Sequence, residues 1–391
     1  RVMKLDLNDL LSYAKMVLDE RDTWASVENF IDRNDDFVLW GAGSGGYEAK
    51  RAIEEKGKSI AYFVDSDIRK KGMVIGGKCV KHPSEISRIQ NKVIISSHWF
   101  IEIARYLMQR FGLRFMEDFA YRPESLFRDG TGFRFVSCLE HNIDSFSEVL
   151  SILDDQASRE TFYRVLKYRL FCFRPYLMGA QDLPFNSDSN RPFFSGRPYH
   201  YRNLVQPCPG DTVLDCGAFT GDNSVEFAED VGMTGKVYAF EPCPRTFQCL
   251  KENILSLGLN GIVVPVMAAV SRVSGQLRFE MGDNPLGSRL AETGDIVVES
   301  VSLDDFVVEK EIKEVQFVKM DIEGAEMDAL LGAKCTIKEY APKMAICIYH
   351  QPGHLFLVPL LIKSLNKKYS LFVKHNSVFF NETCLFARCG G

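Results

Sequence analysis

Residues 211–230 read Asp-Thr-Val-Leu-Asp-Cys-Gly-Ala-Phe-Thr-Gly-Asp-Asn-Ser-Val-Glu-Phe-Ala-Glu-Asp, and this stretch organises the C-terminal half of the chain. Residues 212–214 are apolar and β-prone, and Gly217 and Gly221 follow in a loop. The pattern of residues 223–227 is typical of a helix. In such a strand–loop–helix unit, backbone N–H groups and the helix N-terminus can face a ligand at close range. The stretch therefore predicts a ligand-binding loop at the end of a strand.

The next strand adds an acidic residue to this loop. Residues 236–240 are apolar and end at Glu241, 20 residues after Gly221, where a carboxylate can accept hydrogen bonds from ribose hydroxyls. The loop has the form Asp-x-Gly-x-x-x-Gly and lacks the third tight glycine of the dinucleotide fingerprint. It resembles motif I of the class I methyltransferases that use S-adenosylmethionine, which favours that cofactor over a nicotinamide. The residues that this resemblance implies for cofactor binding are Asp215, Gly217, Ala218, Gly221, Asp222 and Glu241.

Composition places the chain among ordinary globular proteins. Its 391 residues predict two domains, and 46% of them are hydrophobic and 25% charged. The net charge of −5 offers no basic field for a nucleic-acid partner, and no apolar run is long enough to span a bilayer. Eleven cysteines without any Cys-x-x-Cys pair predict reduced thiols in a cytoplasmic protein.

A second glycine-rich loop lies near the N-terminus. Residues 37–40 form a short apolar strand that leads into Gly41-Ala-Gly43-Ser-Gly-Gly46, and a helical pattern follows. The next apolar strand ends at Asp65, 19 residues beyond Gly46. A Gly-x-Gly-x-x-Gly loop in this context is the fingerprint of a nucleotide site, so Gly41, Gly43, Gly46 and Asp65 are predicted to bind a ligand.

The unit formed by residues 1–113 resembles the N-terminal Rossmann-like domain of bacterial enzymes that modify sugar nucleotides. The matching pieces are residues 40–46, 63–67 and 72–78. The resemblance implies that the glycine loop holds a sugar diphosphate. Binding of a nicotinamide dinucleotide and a scaffold without any ligand remain open alternatives.

Residues 114–205 differ in character from both flanking regions. Residues 145–153 and 160–173 have helical patterns, so a helical connector is predicted. Residues 181–198 are rich in Pro, Asn, Asp, Ser and Gly without periodicity, which predicts a long loop. The aromatic and basic residues of this loop suit a cover over a substrate and a packed connector equally well.

Two strand ends further along the chain carry titratable side chains. Residues 315–320 form a strand that leads into Asp321 and Glu323, and the strand before His350 ends in the same way. Ligands of open α/β sheets bind beyond the carboxyl ends of the strands, so these side chains are expected at the same edge as the glycine loop. They are candidates to accept a proton from a hydroxyl, and for Asp321 an orienting role is equally open.

The remaining pattern of the C-terminal half completes an α/β sheet. The predicted elements are a helix at 247–257, a strand at 262–267, a hairpin arm at 274–280, a short extended piece at 300–306, a helix at 356–366 and a closing hairpin of 369–375 with 383–387.

The C-terminal half resembles the FkbM-type methyltransferases in the order and spacing of its motifs. The matching pieces include residues 214–222, Glu241-Pro, residues 302–305, Lys319-Met-Asp-Ile-Glu-Gly-Ala-Glu and Tyr349-His, within about residues 197–387. The resemblance implies methyl transfer from S-adenosylmethionine to a hydroxyl, often on a sugar or secondary metabolite. The family often has an acid soon after the histidine of Tyr349-His. This chain has His354 there, so its substrate pocket is expected to differ.

No metal site is predicted. Catechol-type methyltransferases hold magnesium with acids beyond two adjacent strands. Asp321 and Glu323 supply one side, but Tyr349-His-Gln offers no acid on the other. His350 and His354 are four residues apart, yet the Pro-Gly pair between them disfavours a helical metal pair.

Taken together, the sequence predicts two Rossmann-like α/β domains, residues 1–113 and 206–391, joined by a helical connector at 114–205. The predicted activity is S-adenosylmethionine-dependent O-methylation of a sugar, a nucleotide sugar or a related metabolite by Asp321, Glu323 and His350. The alternatives are an NAD(P)-dependent sugar-nucleotide oxidoreductase and a sugar-nucleotide-binding module whose methyltransferase half is inactive. The expected partner is a small-molecule or sugar substrate, and a homodimer is left open.

Overall fold

The structure is a computed structural model that describes residues 5–18, 24–97, 100–121, 133–171, 197–280, 289–290, 296–377 and 381–390. It divides into two compact units. The N-terminal unit comprises Asp6–Ile143 and Arg164–Pro184, and the C-terminal unit comprises Arg1–Leu5, Asp144–Tyr163 and Phe185–Gly391. The predicted loop at 181–198 falls outside the described residues except at its last two positions. The three-part division predicted above stays a prediction.

The N-terminal unit contains a six-stranded sheet in the order β3-β4-β2-β1-β5-β6. All its pairings are parallel except that of β3 with β4, which form an antiparallel hairpin. Helix α3 begins directly after the glycine loop that follows β1, as predicted. The strands are β1 Asp36–Trp40, β2 Ser59–Val64, β3 Val74–Ile75, β4 Lys78–Lys81, β5 Lys92–Ile95 and β6 Phe119–Tyr121. The helices are α1 Leu7–Val17, α2 Trp24–Asp32, α3 Ser44–Glu55, α4 Phe100–Phe111 and α5 Phe133–His141.

The C-terminal unit contains a seven-stranded sheet in the order β16-β17-β15-β14-β7-β8-β9. Its strands are parallel except β17, which pairs antiparallel with both β15 and β16. The strands are β7 Thr212–Cys216, β8 Lys236–Phe240, β9 Val263–Val266, β14 Phe317–Met320, β15 Lys343–Cys347, β16 Tyr369–His375 and β17 Thr383–Cys389. The helices are α6 Ile143–Ile152, α7 Gln156–Phe171, α8 Asp222–Val231, α9 Pro244–Ser256, α10 Leu303–Glu309, α11 Glu326–Leu331, α12 Lys334–Tyr340 and α13 His354–Leu365, with α7 extending beyond the unit.

A smaller sheet in the same unit has the order β10-β13-β11-β12. Its strands are β10 Ala269–Val270, β11 Gly275–Glu280, β12 Arg289–Leu290 and β13 Ile296–Val301. The extended piece predicted at 300–306 is wrong beyond Val301, because α10 begins at Leu303. The Ser302 hydroxyl accepts a hydrogen bond from the Asp305 amide at 3.1 Å, and this cap starts the helix.

Hydrophobic burial holds the helices against the larger sheet. Phe227 on α8 is completely buried, and its ring centroid lies 5.5 Å from that of Phe317 on β14. Leu250 and Ile254 on α9 are buried in the same cluster. Each of these side chains contributes roughly 1.5–3 kcal/mol by leaving water, so the apolar spacing of the two helices determines which faces they bury.

Part of the predicted connector packs within the C-terminal unit. The Val373 amide on β16 donates to the Ser158 hydroxyl at 3.0 Å, and the Leu371 backbone exchanges hydrogen bonds with Asp154. These hydrogen bonds pair backbone groups on the outer edge of β16, which as an edge strand has no further strand beside it.

Two further expectations can be compared with the structure. Within the described residues, no helix is both long enough and apolar enough to cross a membrane. The ten described cysteines are free thiols, in agreement with their irregular spacing in the sequence.

Candidate active site

The loop after β7 packs directly against the turn after β14. Gly217 has φ +83°, and a Cβ at this position would overlap the carbonyl oxygen of Asp321. Gly221 has φ +98° and caps α8, and a Cβ there would lie 2.7 Å from the Leu250 side chain. Only glycine fits these positions without strain. The two predicted functional segments are therefore adjacent at the carboxyl ends of neighbouring strands.

A buried ion pair supports the loop from behind. Lys319 on β14 is fully buried, and its Nζ lies 3.1 Å from Asp215 Oδ1 and donates to the Gly217 carbonyl at 2.6 Å. Burial lowers the pKa of Lys319, but the charges of Asp215 and Asp321 outweigh it and raise the pKa above its usual value. The Ser224 hydroxyl donates to Asp215 Oδ2 at 2.6 Å. Asp215 thus contacts Lys319, which in turn bonds the Gly217 carbonyl of the loop.

Glu241 lies at the end of β8 beside the same loop. Its carboxylate accepts hydrogen bonds from the Phe219 amide at 3.1 Å and from the Cys243 amide at 2.9 Å. Burial raises the pKa of Glu241 to about 7, although the two amide hydrogen bonds oppose this shift. Ala218 is buried in the loop, and Asp222 is exposed at the first turn of α8. Four of the six predicted cofactor residues thus lie in one loop or directly after it, Asp215 precedes the loop on β7, and Glu241 adjoins it.

The turn after β14 is held by the first residue of α11. Glu326 is fully buried at the start of α11, and its Oε1 accepts hydrogen bonds from the Ile322 amide at 3.0 Å and the Gly324 amide at 3.4 Å. Glu323 between them has φ +54°, a left-handed conformation that is unfavourable for a non-glycine residue. Strained backbone of this kind is common at functional sites, where the surroundings compensate for it.

Two tyrosines orient the carboxylate of Asp321. The Tyr199 hydroxyl donates to Asp321 Oδ2 at 2.7 Å, and the Tyr349 hydroxyl donates to Asp321 Oδ1 at 3.2 Å. Tyr349 also lies within hydrogen-bonding distance of Glu382 Oε1, at 3.3 Å. Burial raises the pKa of both tyrosines well above the usual value, so they remain hydrogen-bond donors.

His350 lies between several carboxylates. Its Nδ1 is 2.7 Å from Glu326 Oε1, and its Nε2 is 3.4 Å from Asp321 Oδ1 and 3.7 Å from Glu323 Oε2. Burial lowers the pKa of His350, but the charge of Glu326 and its hydrogen bond outweigh burial and raise the pKa to about 10. His354 reaches the other oxygen of Glu326 at 3.1 Å. The three predicted catalytic residues, Asp321, Glu323 and His350, are therefore together in the structure.

A further carboxylate joins this group. Glu382 precedes β17 and has φ +64°. Burial, together with the charge of Asp321, raises the pKa of both Glu382 and Glu323 to about 7. The sequence analysis missed Glu382 because no motif connects it with Tyr349, which lies 33 positions earlier. It also missed Lys319 as a supporting residue. Residues two positions apart in a strand face the same side, and Lys319 is two positions before Asp321.

The N-terminal glycine loop has a different arrangement. Asp65 Oδ2 accepts hydrogen bonds from the Ala42 amide at 2.9 Å and from Lys70 Nζ at 2.8 Å. A Cβ at Gly46 would overlap the Gly41 carbonyl oxygen, whereas one at Gly43 would meet nothing within 4 Å. Asp65 therefore stabilises the loop itself, and the predicted ligand contact of this residue stays a prediction.

The strand order of the larger sheet gives the C-terminal unit the fold of the class I methyltransferases. Residues 215–371 match the family model of the methyltransferase FkbM domain. Over 98% of its length the chain is also similar to the crystal structure of methyltransferase FkbM from Methylobacillus flagellatus KT, of which it covers 99%. The TM-score is 0.65 and the sequence identity 21%. The fold class predicted from the sequence is confirmed.

Two curated proteins are similar to this chain in sequence. The chain is 34% identical over 136 residues to the hexuronic acid methyltransferase AglP of Haloferax volcanii, and this covers 34% of the chain and 54% of AglP. It is 25% identical over 149 residues to the 2-O-methyltransferase NoeI of Sinorhizobium fredii, which covers 33% of the chain and 60% of NoeI. The chain thus spans little more than half the length of these curated relatives.

Proposed function

We propose that the protein transfers a methyl group from S-adenosylmethionine to a hydroxyl of a sugar or a related small metabolite. The observation that carries the proposal is the contact of Gly217 with the backbone of Asp321, which joins the cofactor-type loop to the acidic turn. A donor bound at the loop would have its reactive end beside the carboxylates. Two relatives, a hexuronic acid methyltransferase and a 2-O-methyltransferase, support a sugar hydroxyl as the acceptor.

The donor half of the site would be built from backbone and one carboxylate. Amides of the first turn of α8 would face the cofactor, and Glu241 would accept hydrogen bonds from the ribose hydroxyls. Ala218 and Asp222 complete this side of the site. Asp215 contributes indirectly by holding the loop through Lys319.

The reaction would be an in-line displacement at the methyl carbon. The acceptor oxygen forms the new O–CH₃ bond while the S–CH₃ bond breaks, and the electron pair of that bond stays on sulfur to give S-adenosylhomocysteine. The hydroxyl proton passes to a carboxylate of the Asp321, Glu323 and His350 group. Because both oxygens of Asp321 already accept hydrogen bonds from tyrosines, Asp321 orients the acceptor and Glu323 takes the proton.

The test is direct methyl transfer. The purified protein is incubated with S-adenosylmethionine labelled in the methyl group and with uronic-acid glycosides, neutral glycosides and UDP- or dTDP-sugars. The proposal expects label in a base-stable ether on at least one carbohydrate and none in the Glu323→Gln variant. Failure of S-adenosylhomocysteine to bind, measured by calorimetry, would overturn it. Tight binding of NAD(P)H with reduction of a sugar nucleotide would favour the oxidoreductase alternative.

The N-terminal unit is proposed to bind a sugar nucleotide at the Gly41–Gly46 loop. The support is local, because amides at the start of α3 can hold a diphosphate without any basic residue in the loop. If the acceptor sugar is carried as a nucleotide diphosphate, the same chain would hold both the acceptor and the donor. Binding at one site would then raise the local concentration of acceptor available to the other.

A further inference from the structure

We propose that His350 is a positioning residue: its ring, kept protonated by Glu326, holds the carboxylate of Glu323 in the ionised form that accepts the proton of the acceptor hydroxyl. The sequence made His350 a candidate proton acceptor itself, and exposure and hydrogen bonding separate the two roles. The role in catalysis rests on the proposed methyl transfer. The charge of His350 is a property of the fold and can be measured without any activity.

Exposure divides the work between the two side chains. Only 4% of the His350 side chain is exposed, and its Nε2 is buried. Glu323, by contrast, has 37% of its side chain exposed. A base has to come within hydrogen-bonding distance of the hydroxyl whose proton it takes. An acceptor from solution can therefore reach the carboxylate of Glu323, whereas the buried nitrogen of His350 is closed to it.

One ring nitrogen of His350 donates to Glu326. His350 Nδ1 lies 2.7 Å from Glu326 Oε1. The same oxygen accepts hydrogen bonds from the amides of Ile322 and Gly324, so it acts as an acceptor. Nδ1 is therefore the donor and carries a proton. Because Glu326 is fully buried, its charge acts on the ring in a medium of low dielectric constant and is little screened.

The second ring nitrogen of His350 faces two more carboxylates. Nε2 lies 3.4 Å from Asp321 Oδ1 and 3.7 Å from Glu323 Oε2, and it makes no hydrogen bond to any residue that the structure describes. A lone pair on Nε2 would face two negative oxygens, whereas an N–H there attracts both. Both nitrogens therefore carry protons. Burial lowers the pKa of His350, but the charge and the hydrogen bond of Glu326 outweigh it and raise the pKa to about 10.

The charged ring acts on the pKa of Glu323. Burial raises this pKa to about 7, although the charge of His350 opposes the shift. The charges of Asp321 and Glu326 add to the effect of burial. Without the charge of His350, Glu323 would be protonated over more of the neutral pH range. A protonated carboxyl group cannot accept the proton of the hydroxyl, so His350 sets the pH range in which Glu323 can act as the base.

Glu382 and Tyr349 are further titratable groups near Glu323. Burial raises the pKa of Tyr349 well above its usual value, so this residue carries no charge at neutral pH. Burial raises the pKa of Glu382 to about 7, and the charge of Glu323 acts in the same direction. The two carboxylates therefore titrate together, and a Glu382→Gln variant is needed to separate them.

The charge of His350 is tested on the full-length protein without substrate. Two-bond ¹H–¹⁵N spectra distinguish a protonated ring from either neutral tautomer, and the His350 signal is the one missing from His350→Gln. The ring should stay protonated from about pH 6 to about pH 8.5, whereas an ordinary histidine titrates near pH 6.5. A ring that loses its proton within this range would overturn the proposal. If His350→Gln does not fold, elimination assigns the signal, from variants of the other histidines among the seven in the chain.

The pH dependence of methyl transfer tests the effect on Glu323. Wild-type kcat/KM should fall about tenfold per pH unit below pH 7, because Glu323 becomes protonated. His350→Gln should move this acid limb upward by about one pH unit, since it removes the positive charge beside the carboxylate. The loss in the variant should therefore be about tenfold at pH 6 and smaller at pH 9. A loss of the same size at every pH, as expected for a missing base, would overturn the proposal.

Two controls and two outcomes complete the test. His141→Gln, at an exposed position, should keep the wild-type profile, and Glu382→Gln should keep an acid limb because Glu323 remains. Methyl transfer with a protonated His350 but no displaced limb in His350→Gln would reject this role and leave the methyltransferase intact. No methyl transfer by the wild type at any pH would reject the proposed function and this role with it, while the spectra would still report the charge of the ring.

Discussion

Gly217 is the residue at which the two halves of the candidate site meet. Its backbone has φ +83° and passes against the Asp321 carbonyl. Gly217→Ala should therefore displace the loop and weaken S-adenosylhomocysteine binding at least a hundredfold, measured by calorimetry. Backbone strain alone should lower the free energy of unfolding by about 1–3 kcal/mol. Gly261→Ala is the control, because no atom lies near a Cβ there and the backbone is not left-handed. Equal binding in the two variants would place the cofactor elsewhere.

Glu241 provides a second prediction at the scale of one residue, which concerns pH. Its pKa of about 7 without ligand means that it is protonated below pH 7, whereas ribose hydroxyls donate best to the ionised carboxylate. S-adenosylhomocysteine affinity should therefore rise about tenfold per pH unit up to pH 7 and then level off. Glu241→Gln should remove this dependence, and Glu241→Ala should weaken binding at pH 8 by about 1–3 kcal/mol. The same pH profile in Glu241→Gln and wild type would contradict the assignment.

At the scale of elements, the turn between β14 and α11 depends on Glu326. This carboxylate is fully buried, bonds two turn amides and contacts both His350 and His354. His350 keeps its proton because of the charge of Glu326. In turn, the charge of His350 and the hydrogen bonds from His350 and His354 hold the pKa of Glu326 well below its usual range in spite of burial. The turn and the histidine are thus one unit, and neither should keep its geometry alone.

Glu326→Gln should consequently lower the free energy of unfolding by about 3–5 kcal/mol, because it leaves a buried histidine without its charged partner. Denaturant unfolding at pH 7 measures this change. Glu309→Gln, at an exposed position, should change stability by no more than about 0.5 kcal/mol. The double variant with His350→Gln should recover part of the loss, since it removes both members of the pair. A single variant as stable as the Glu309 control would show that the pair contributes little.

At the scale of the whole molecule, each unit has its own glycine loop, and the two loops are expected to bind different ligands. Gly43 offers a clean test, because a Cβ there would meet no described atom within 4 Å. Gly43→Val should leave thermal stability unchanged, weaken UDP- or dTDP-sugar binding at least tenfold and leave S-adenosylhomocysteine binding as it is. Gly261→Val serves as the control. Unchanged sugar-nucleotide affinity in Gly43→Val would remove the proposed role of the N-terminal loop.

Local pattern accounts for much of what could be predicted. Strand, loop and helix at 211–230 follow from apolar spacing and glycine positions, and the structure has them as β7, the loop and α8. Asp321 and His350 were expected at one edge because both follow parallel strands, and they lie within 3.4 Å of each other. Where the prediction failed, at 300–306, the helix cap at Ser302 outweighed the β-prone residues before it.

Sequence by itself determined which strands end in the candidate site residues, since that depends on neighbours along the chain. Only the tertiary structure decided which of these residues lie together. The placement of β17 beside β15 brings Glu382 to Tyr349, and the pairing of β14 with β7 brings Lys319 beneath the Gly217 loop. The same pairing places Asp215 beside Lys319, and Asp215 also accepts a hydrogen bond from Ser224. Such contacts join residues far apart in sequence, and they arise because strand pairing and burial, not local periodicity, fix the distances between them.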